Sequence, residues 1–182
     1  MKNKNDVLLE IKEFSMNFYQ KQDFAHNITH GERVVKNAKK IMKNEGGDGF
    51  IIEAGAWLHQ FHDNLNEVKD FIFKLDIDEG DKNKLYEIAK IRPKYINEKA
   101  SLEAKIVYDA DSIELLSVYG TIREILCNIK ARGKSWDETI DDTVKVQKKF
   151  LDKLMTNTAK EMIKEDITII NRFFELYYKE LI

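Results

Sequence analysis

Residues 50–61, which read FIIEAGAWLHQF, are apolar on nearly every side of a helical wheel. A helix of that kind is stable in water only when other elements enclose it, so the rest of the chain has to form a shell around it. Ala54, Gly55 and Ala56 supply small surfaces against which neighbours can pack closely. The shell itself has to be helical. Proline occurs once, at Pro93, and glycine only eight times in 182 residues, while Lys, Glu, Ile and Leu are abundant, so little interrupts helix formation. The expected fold is all-α: a compact, single-domain bundle of about eight helices over residues 1–182. Its core spans about 20–130, and C-terminal helices in 137–182 pack onto it.

The apolar periodicity marks most of these helices. Val7, Leu8, Ile11, Phe14 and Phe18 recur at helical spacing over residues 6–21. After candidate N-caps at Asp23, Asn27 and Thr29, a long helix carries Val34, Val35, Ala38 and Ile41 to the Gly46-Gly47-Asp48-Gly49 stop. Val68, Phe71 and Ile72 mark one helix, and Leu85 and Ile88 mark another, with an acidic connection at 76–81 and a stop at Arg92-Pro93. A further helix is expected over 112–131, another from Asp137, and a last one from Met162 to Leu181.

Net charge of −2 gives no electrostatic footprint for nucleic acid. No apolar run approaches the roughly 20 residues a membrane span needs, and the one cysteine, Cys127, excludes an internal disulfide and suits a reducing compartment. Cys127 lies in an apolar run and is expected to be buried. These features point to a cytoplasmic protein without a membrane or nucleic-acid partner, and a homodimer is compatible with them.

The four histidines fall into two clusters, His26 with His30 and His59 with His62. Spacings of four and three put each pair on one helical face. Asp63 follows His62 directly. Asp109 and Asp111 stand in the apolar run Ile106 to Leu116, where a carboxylate is costly unless a metal or a donor network compensates it. The alternative is that one of the two faces solvent and caps a helix. Imidazole nitrogens with carboxylate oxygens suit a divalent ion such as Mn, Fe, Ni, Zn or Mg. Such an ion can lower the pKa of a water and polarise a phosphoryl oxygen.

Three segments together resemble the HD-domain phosphohydrolase superfamily. His26 to Val34 is similar to its first motif, in which the second histidine binds metal and an arginine follows three residues on. Ala54 to Asp63 is similar to the helix bearing the family's His-Asp pair, and Val107 to Asp111 to its "DAD" segment, whose first aspartate closes the metal site. The tail from Lys149 to Glu175 also resembles the small bacterial subgroup called YedJ-like. The resemblance implies an HD-domain fold, a metal site of His30, His59, Gln60 and Asp109, and catalytic roles for Arg33, His62 and Asp63. Arg33 would clamp a phosphate or form an ion pair that orients Asp109 or Asp63.

The second motif departs from the family pattern. Matching Ala56 to His59 on the usual pattern puts Gln60, a neutral donor, where the family has the metal-binding aspartate. The literal His62-Asp63 lies one helical turn further on. The helix register favours His59-Gln60, with His62-Asp63 as the alternative pair and Asp63 also able to reach back a turn. The histidine that many members carry in the next segment is absent from 88–93. The implied function is a metal-dependent phosphohydrolase acting on a small phosphorylated substrate, with a nucleotide as one candidate. The rival is a degenerate, non-catalytic HD-fold binding or regulatory domain.

Overall fold

The computed structural model describes residues 2–92 and 94–181. Among them there are ten α-helices, one 3-10 helix and no strand: α1 (Lys4–Tyr19), α2 (Ile28–Glu45), α3 (Gly49–Leu58), a 3-10 turn (His59–Asp63), α4 (Leu65–Lys74), α5 (Glu79–Ala89), α6 (Leu102–Leu116), α7 (Val118–Lys130), α8 (Trp136–Leu151), α9 (Asn157–Met162) and α10 (Lys164–Glu180). The all-α expectation holds, with two more helices than the periodicity suggested. The extra boundaries fall inside apolar runs. One is Ser117, whose extended backbone (ψ 161°) separates α6 from α7 and whose hydroxyl accepts from Gly120 N–H. The other is Ile163, between α9 and α10. The expected proline stop lies outside the described residues at Pro93, and α5 has already ended at Ala89.

α3 is the enclosed element. Ile51, Ile52, Ala54, Gly55, Ala56, Trp57 and Leu58 are all buried, and α1, α2, α5 and α6 pack around it. A Cβ on Gly55 would press on Ile88 at 2.8 Å, so this glycine sets how closely α3 and α5 approach. The main core also takes in Val7, Ile11 and Tyr19 of α1, so it begins before residue 20. A smaller cluster of Ile140, Ile170 and Phe174 joins α8 to α10.

Local chemistry fixes the helices that carry the polar groups. Asn27 caps α2, its side chain accepting from Thr29 and His30 N–H, which places His30 in the first turn. Asp48 caps α3 by accepting from Phe50 and Ile51. Ser101 starts α6 by accepting from Ala104. The expected acidic connection is only partly a loop, because Asp78 caps α5 and residues 79–81 are helical.

Candidate metal centre

The first turn of α2, the C-terminal end of α3 and the middle of α6 converge on one point. His30 Nε2 and His59 Nε2 are 3.2 Å apart. Asp111 Oδ1 lies 3.4 Å from the first and 3.7 Å from the second. His30 is 1 % exposed, His59 8 % and the Asp111 side chain 36 %, so two of the donors are fixed in the core and the third faces the opening.

Each imidazole is held from behind. His59 Nδ1–H donates to the Ala56 carbonyl at 2.7 Å, which leaves its Nε2 lone pair facing the cluster. Burial lowers the His59 pKa to about 4, against the raising effect of Asp111, so the ring is neutral at pH 7. His30 Nδ1 lies 3.3 Å from Glu114 Oε2 and 2.9 Å from Arg123 NH1. Ligation through Nε2 requires the proton on Nδ1, where Glu114 accepts it, and Arg123 NH1 then donates to the Ala25 carbonyl at 2.8 Å. This carboxylate–histidine pairing is the usual support behind a metal ligand. Glu114 is itself buried between Arg33 and Arg123, with which it forms ion pairs. Burial alone would raise its carboxyl, but His30 and the two guanidiniums hold it down to about 2.

The donor set fits a single divalent cation. Ligands at ~2.1 Å from a metal stand roughly 3.0 Å apart at right angles and about 3.4 Å apart in a tetrahedron. The separations of 3.2, 3.4 and 3.7 Å run from between these values to slightly above them. Gln60 stands beside the cluster, its amide nitrogen 3.2 Å from His30 Nε2. The opposite amide orientation would present a neutral oxygen instead. The Tyr108 hydroxyl is buried without a hydrogen-bond partner among the described residues, and burial pushes its pKa up to about 12. Tyr108 is one of the residues lining a cavity of about 260 Å³ with His59, His62, Arg92 and Asp111, so the cluster opens on this space.

The expected residues distribute unevenly. His30, His59 and Gln60 come together. Asp109 does not join them, and Asp111 takes the place expected of it. Two residues apart on a helix is a rotation of about 200°, so the two carboxylates cannot share a face of α6. Asp109, fully buried, turns to the connection between α8 and α9. There it accepts from Met155 N–H at 2.9 Å, and from Thr156 N–H and Oγ1–H, both at 2.6 Å. Burial pushes the Asp109 carboxyl up, and the Thr156 and Met155 bonds only partly offset this.

The literal His62-Asp63 pair is also displaced. α3 ends at Leu58 and the tighter 3-10 turn carries these residues to the rim. His62 Nδ1 approaches the His59 carbonyl at 3.3 Å. Asp63 is paired with Arg92 on the surface, lies 3.5 Å from His62 Nε2 through its other oxygen, and does not join the His30–His59 cluster. Arg33 points inward to Glu114, donates to Thr29 Oγ1 at 3.2 Å and lies over the Tyr119 ring. Its orienting partner is therefore Glu114, neither of the aspartates. His26 bonds to Asp23 at 2.9 Å, outside the cluster. Glu114 and Tyr108 were missed by the sequence reasoning. Glu114 is three residues beyond Asp111 in the same apolar run, and the cost of burying a carboxylate there was the available signal.

No protein-family model matches the chain. Among curated proteins, Bacillus subtilis YpgQ is 23 % identical over 189 residues, covering 94 % of this chain and 92 % of YpgQ. Its crystal structure in complex with ADP superposes with a TM-score of 0.81 at 21 % identity, over 97 % and 96 % of the two chains. The Lin1889 protein of Listeria innocua is 26 % identical, with a TM-score of 0.80 over 99 % and 98 %. A Bacillus thuringiensis HD-superfamily hydrolase is 26 % identical, with a TM-score of 0.77 over 98 % of each chain. Three helices deliver two imidazoles and a carboxylate to one point within this architecture, and over nearly its whole length the chain has the all-α fold of the HD-superfamily hydrolases.

Proposed function

We propose that the chain is a metal-dependent phosphohydrolase acting on a small phosphate ester, with nucleotides as the leading substrate class. The observation that carries the reading is the convergence of His30 Nε2, His59 Nε2 and Asp111 Oδ1 within 4.8 Å of one another beside the cavity. His30, His59 and Asp111 would hold the cation, and the Gln60 amide oxygen would complete the set as a neutral donor. A divalent ion held there would activate a water and polarise a phosphoryl oxygen.

The chain's own residues do the remaining work. Glu114 and the Ala56 carbonyl fix the tautomers of His30 and His59. Arg33 and Arg123 neutralise Glu114, so the buried carboxylate does not compete with the site for the cation. His62, with Nδ1 towards the His59 carbonyl and Nε2 3.5 Å from Asp63 Oδ2, sits at the cavity rim, where turning from Asp63 would let it deliver a proton to a leaving oxygen. Asp63 orients Arg92, and Arg92 lines both this cavity and an adjoining groove of about 890 Å³. That groove combines Lys84, Lys99 and a Lys90 paired with Glu87 at 2.8 Å with Ile91, Ile96 and the exposed ring of Tyr95. A cationic rim around an apolar floor suits the body of a nucleotide, and the ADP complex of YpgQ supports that choice. The single buried cysteine, and the lack of a helix long and apolar enough to cross a membrane among the described residues, are compatible with action in the cytoplasm.

Gln60 favours the second reading, a binding domain that has lost hydrolysis. Calorimetric titration with Mn, Ni, Co, Zn and Mg, together with hydrolysis assays on generic and nucleotide phosphates, separates the two. Metal binding with turnover supports the enzyme. Binding of metal and nucleotide without turnover supports the binding domain. In the Gln60→Asp variant, tighter metal binding and faster turnover are expected, because charge count sets much of a hard cation's affinity. Unchanged binding would remove Gln60 from the site.

A further inference from the structure

We infer that the outer face of α7 and α10 is a self-complementary interface on which a second copy of this chain docks. Asp166, near the start of α10, accepts from Val118 N–H at the start of α7 at 2.8 Å. Ile125 of α7 packs against the Ile140–Ile170–Phe174 cluster, so the two helices lie side by side and parallel. α8 covers one side of the pair. It bonds to α7 through Thr121–Gln147 and Asn128–Thr143, and to α10 through Tyr177–Trp136 and Tyr178–Asp141.

At 100° per residue, Ile122, Leu126 and Ile129 lie about 120° round α7 from the residues that meet α8. Ile169, Phe173 and Leu176 lie about 120° round α10 in the opposite sense. Both stripes therefore fall on the uncovered side, with the α7–α10 seam between them. Together with Tyr119 these residues are 37–56 % exposed.

The extent of the face identifies its occupant. At about 200 Å² for a fully exposed large apolar residue, seven residues half exposed present on the order of 650 Å². A monomer's largest apolar patch is typically about 300–600 Å², and each side of a standard interface buries roughly 800 Å². The polar rim, which includes the Arg172–Glu175 ion pair, supplies the remainder. A two-helix face lined by apolar side chains matches its own two-fold copy, with α7 and α10 of each chain forming a four-helix contact. Tyr119 also stacks on Arg33, which puts the edge of this interface one residue from the Glu114 cluster.

Sedimentation velocity on the full chain, from about 1 to 100 µM, tests this. The expected result is a dimer that Ile122→Glu with Phe173→Glu converts to a monomer of unchanged far-ultraviolet circular dichroism. Hydrogen exchange of the wild-type chain, which needs no variant, should show concentration-dependent protection of peptides from α7 and α10. A monomer throughout the range overturns the inference, whether or not the same face then binds phospholipid vesicles. So does a dimer that persists in the folded double variant, or one that leaves α7 and α10 unprotected.

Discussion

Exchanging each aspartate of α6 for asparagine separates two roles that lie two residues apart. In Asp109→Asn, one carboxylate oxygen becomes an NH2 group. With the amide oxygen at the Oδ2 position, where it accepts from Thr156 N–H and Oγ1–H at 2.6 Å, the NH2 faces Met155 N–H, which Oδ1 accepts at 2.9 Å in the wild type. The opposite orientation sets it against Thr156 N–H instead, so either way one backbone donor loses its acceptor. An orphaned buried donor costs about 1–3 kcal/mol, and losing charge assistance on the other bonds adds roughly 1 kcal/mol. The expected destabilisation is about 2–4 kcal/mol, which for a chain of this size is a fall in Tm of about 5–15 °C.

Metal affinity should not change in that variant. In Asp111→Asn the expectations reverse. The side chain is 36 % exposed and its neighbours are imidazoles, so stability should stay within about 0.5 kcal/mol. A full charge at ~2.2 Å from a divalent ion is worth about 15 kcal/mol at an effective dielectric of 20, so if only a tenth survives the desolvation of both groups, the loss is at least about tenfold in affinity. Thermal denaturation and calorimetric titration with Mn read the two effects independently. A normal Tm with lost metal binding in Asp109→Asn, or undiminished binding in Asp111→Asn, would refute the assignment of the two side chains.

Other perturbations follow from the same contacts. Glu114→Gln removes the acceptor behind His30 and leaves two guanidiniums without their counter-charge. It should cost about 3–5 kcal/mol in urea denaturation and weaken metal binding about 10–100-fold. At Gly120 an added Cβ would overlap the Glu114 carbonyl. Gly120→Ala should therefore destabilise by roughly 3 kcal/mol or more in the same assay, because backbone and not a flexible side chain has to move. Asp48 is buried enough to raise its carboxyl, but the Ile51 and Phe50 N–H groups and Lys4 hold it below the ordinary 3.8. A depressed pKa contributes stability above the ordinary value and loses it as pH falls through the folded one. Asp48→Asn should flatten stability below about pH 4, measured as Tm across a pH series.

The fold class was legible because few residues interrupt the helical period and because residues 50–61 demand enclosure. The boundaries at Ser117 and Ile163 were not, since both lie in apolar runs where a continuous helix satisfies the same pattern. Spacing grouped the histidines into two pairs, and the family resemblance picked His30 and His59 from them. The choice between Asp109 and Asp111 could not, because α6 is buried on most sides and its composition does not tell which direction faces the site. The place of His62-Asp63 depended on α3 tightening into a 3-10 turn at His59, which shifts the angular step from 100° towards 120° per residue. Nothing in the dipeptide itself signals that change.

An anomalous difference map from crystals of the full chain grown with Mn2+ tests the metal centre most directly. The expected peak lies about 2.0–2.3 Å from His30 Nε2, His59 Nε2 and one Asp111 oxygen. A peak at His62-Asp63 or at Asp109, or none under conditions where calorimetry shows saturation, would contradict it.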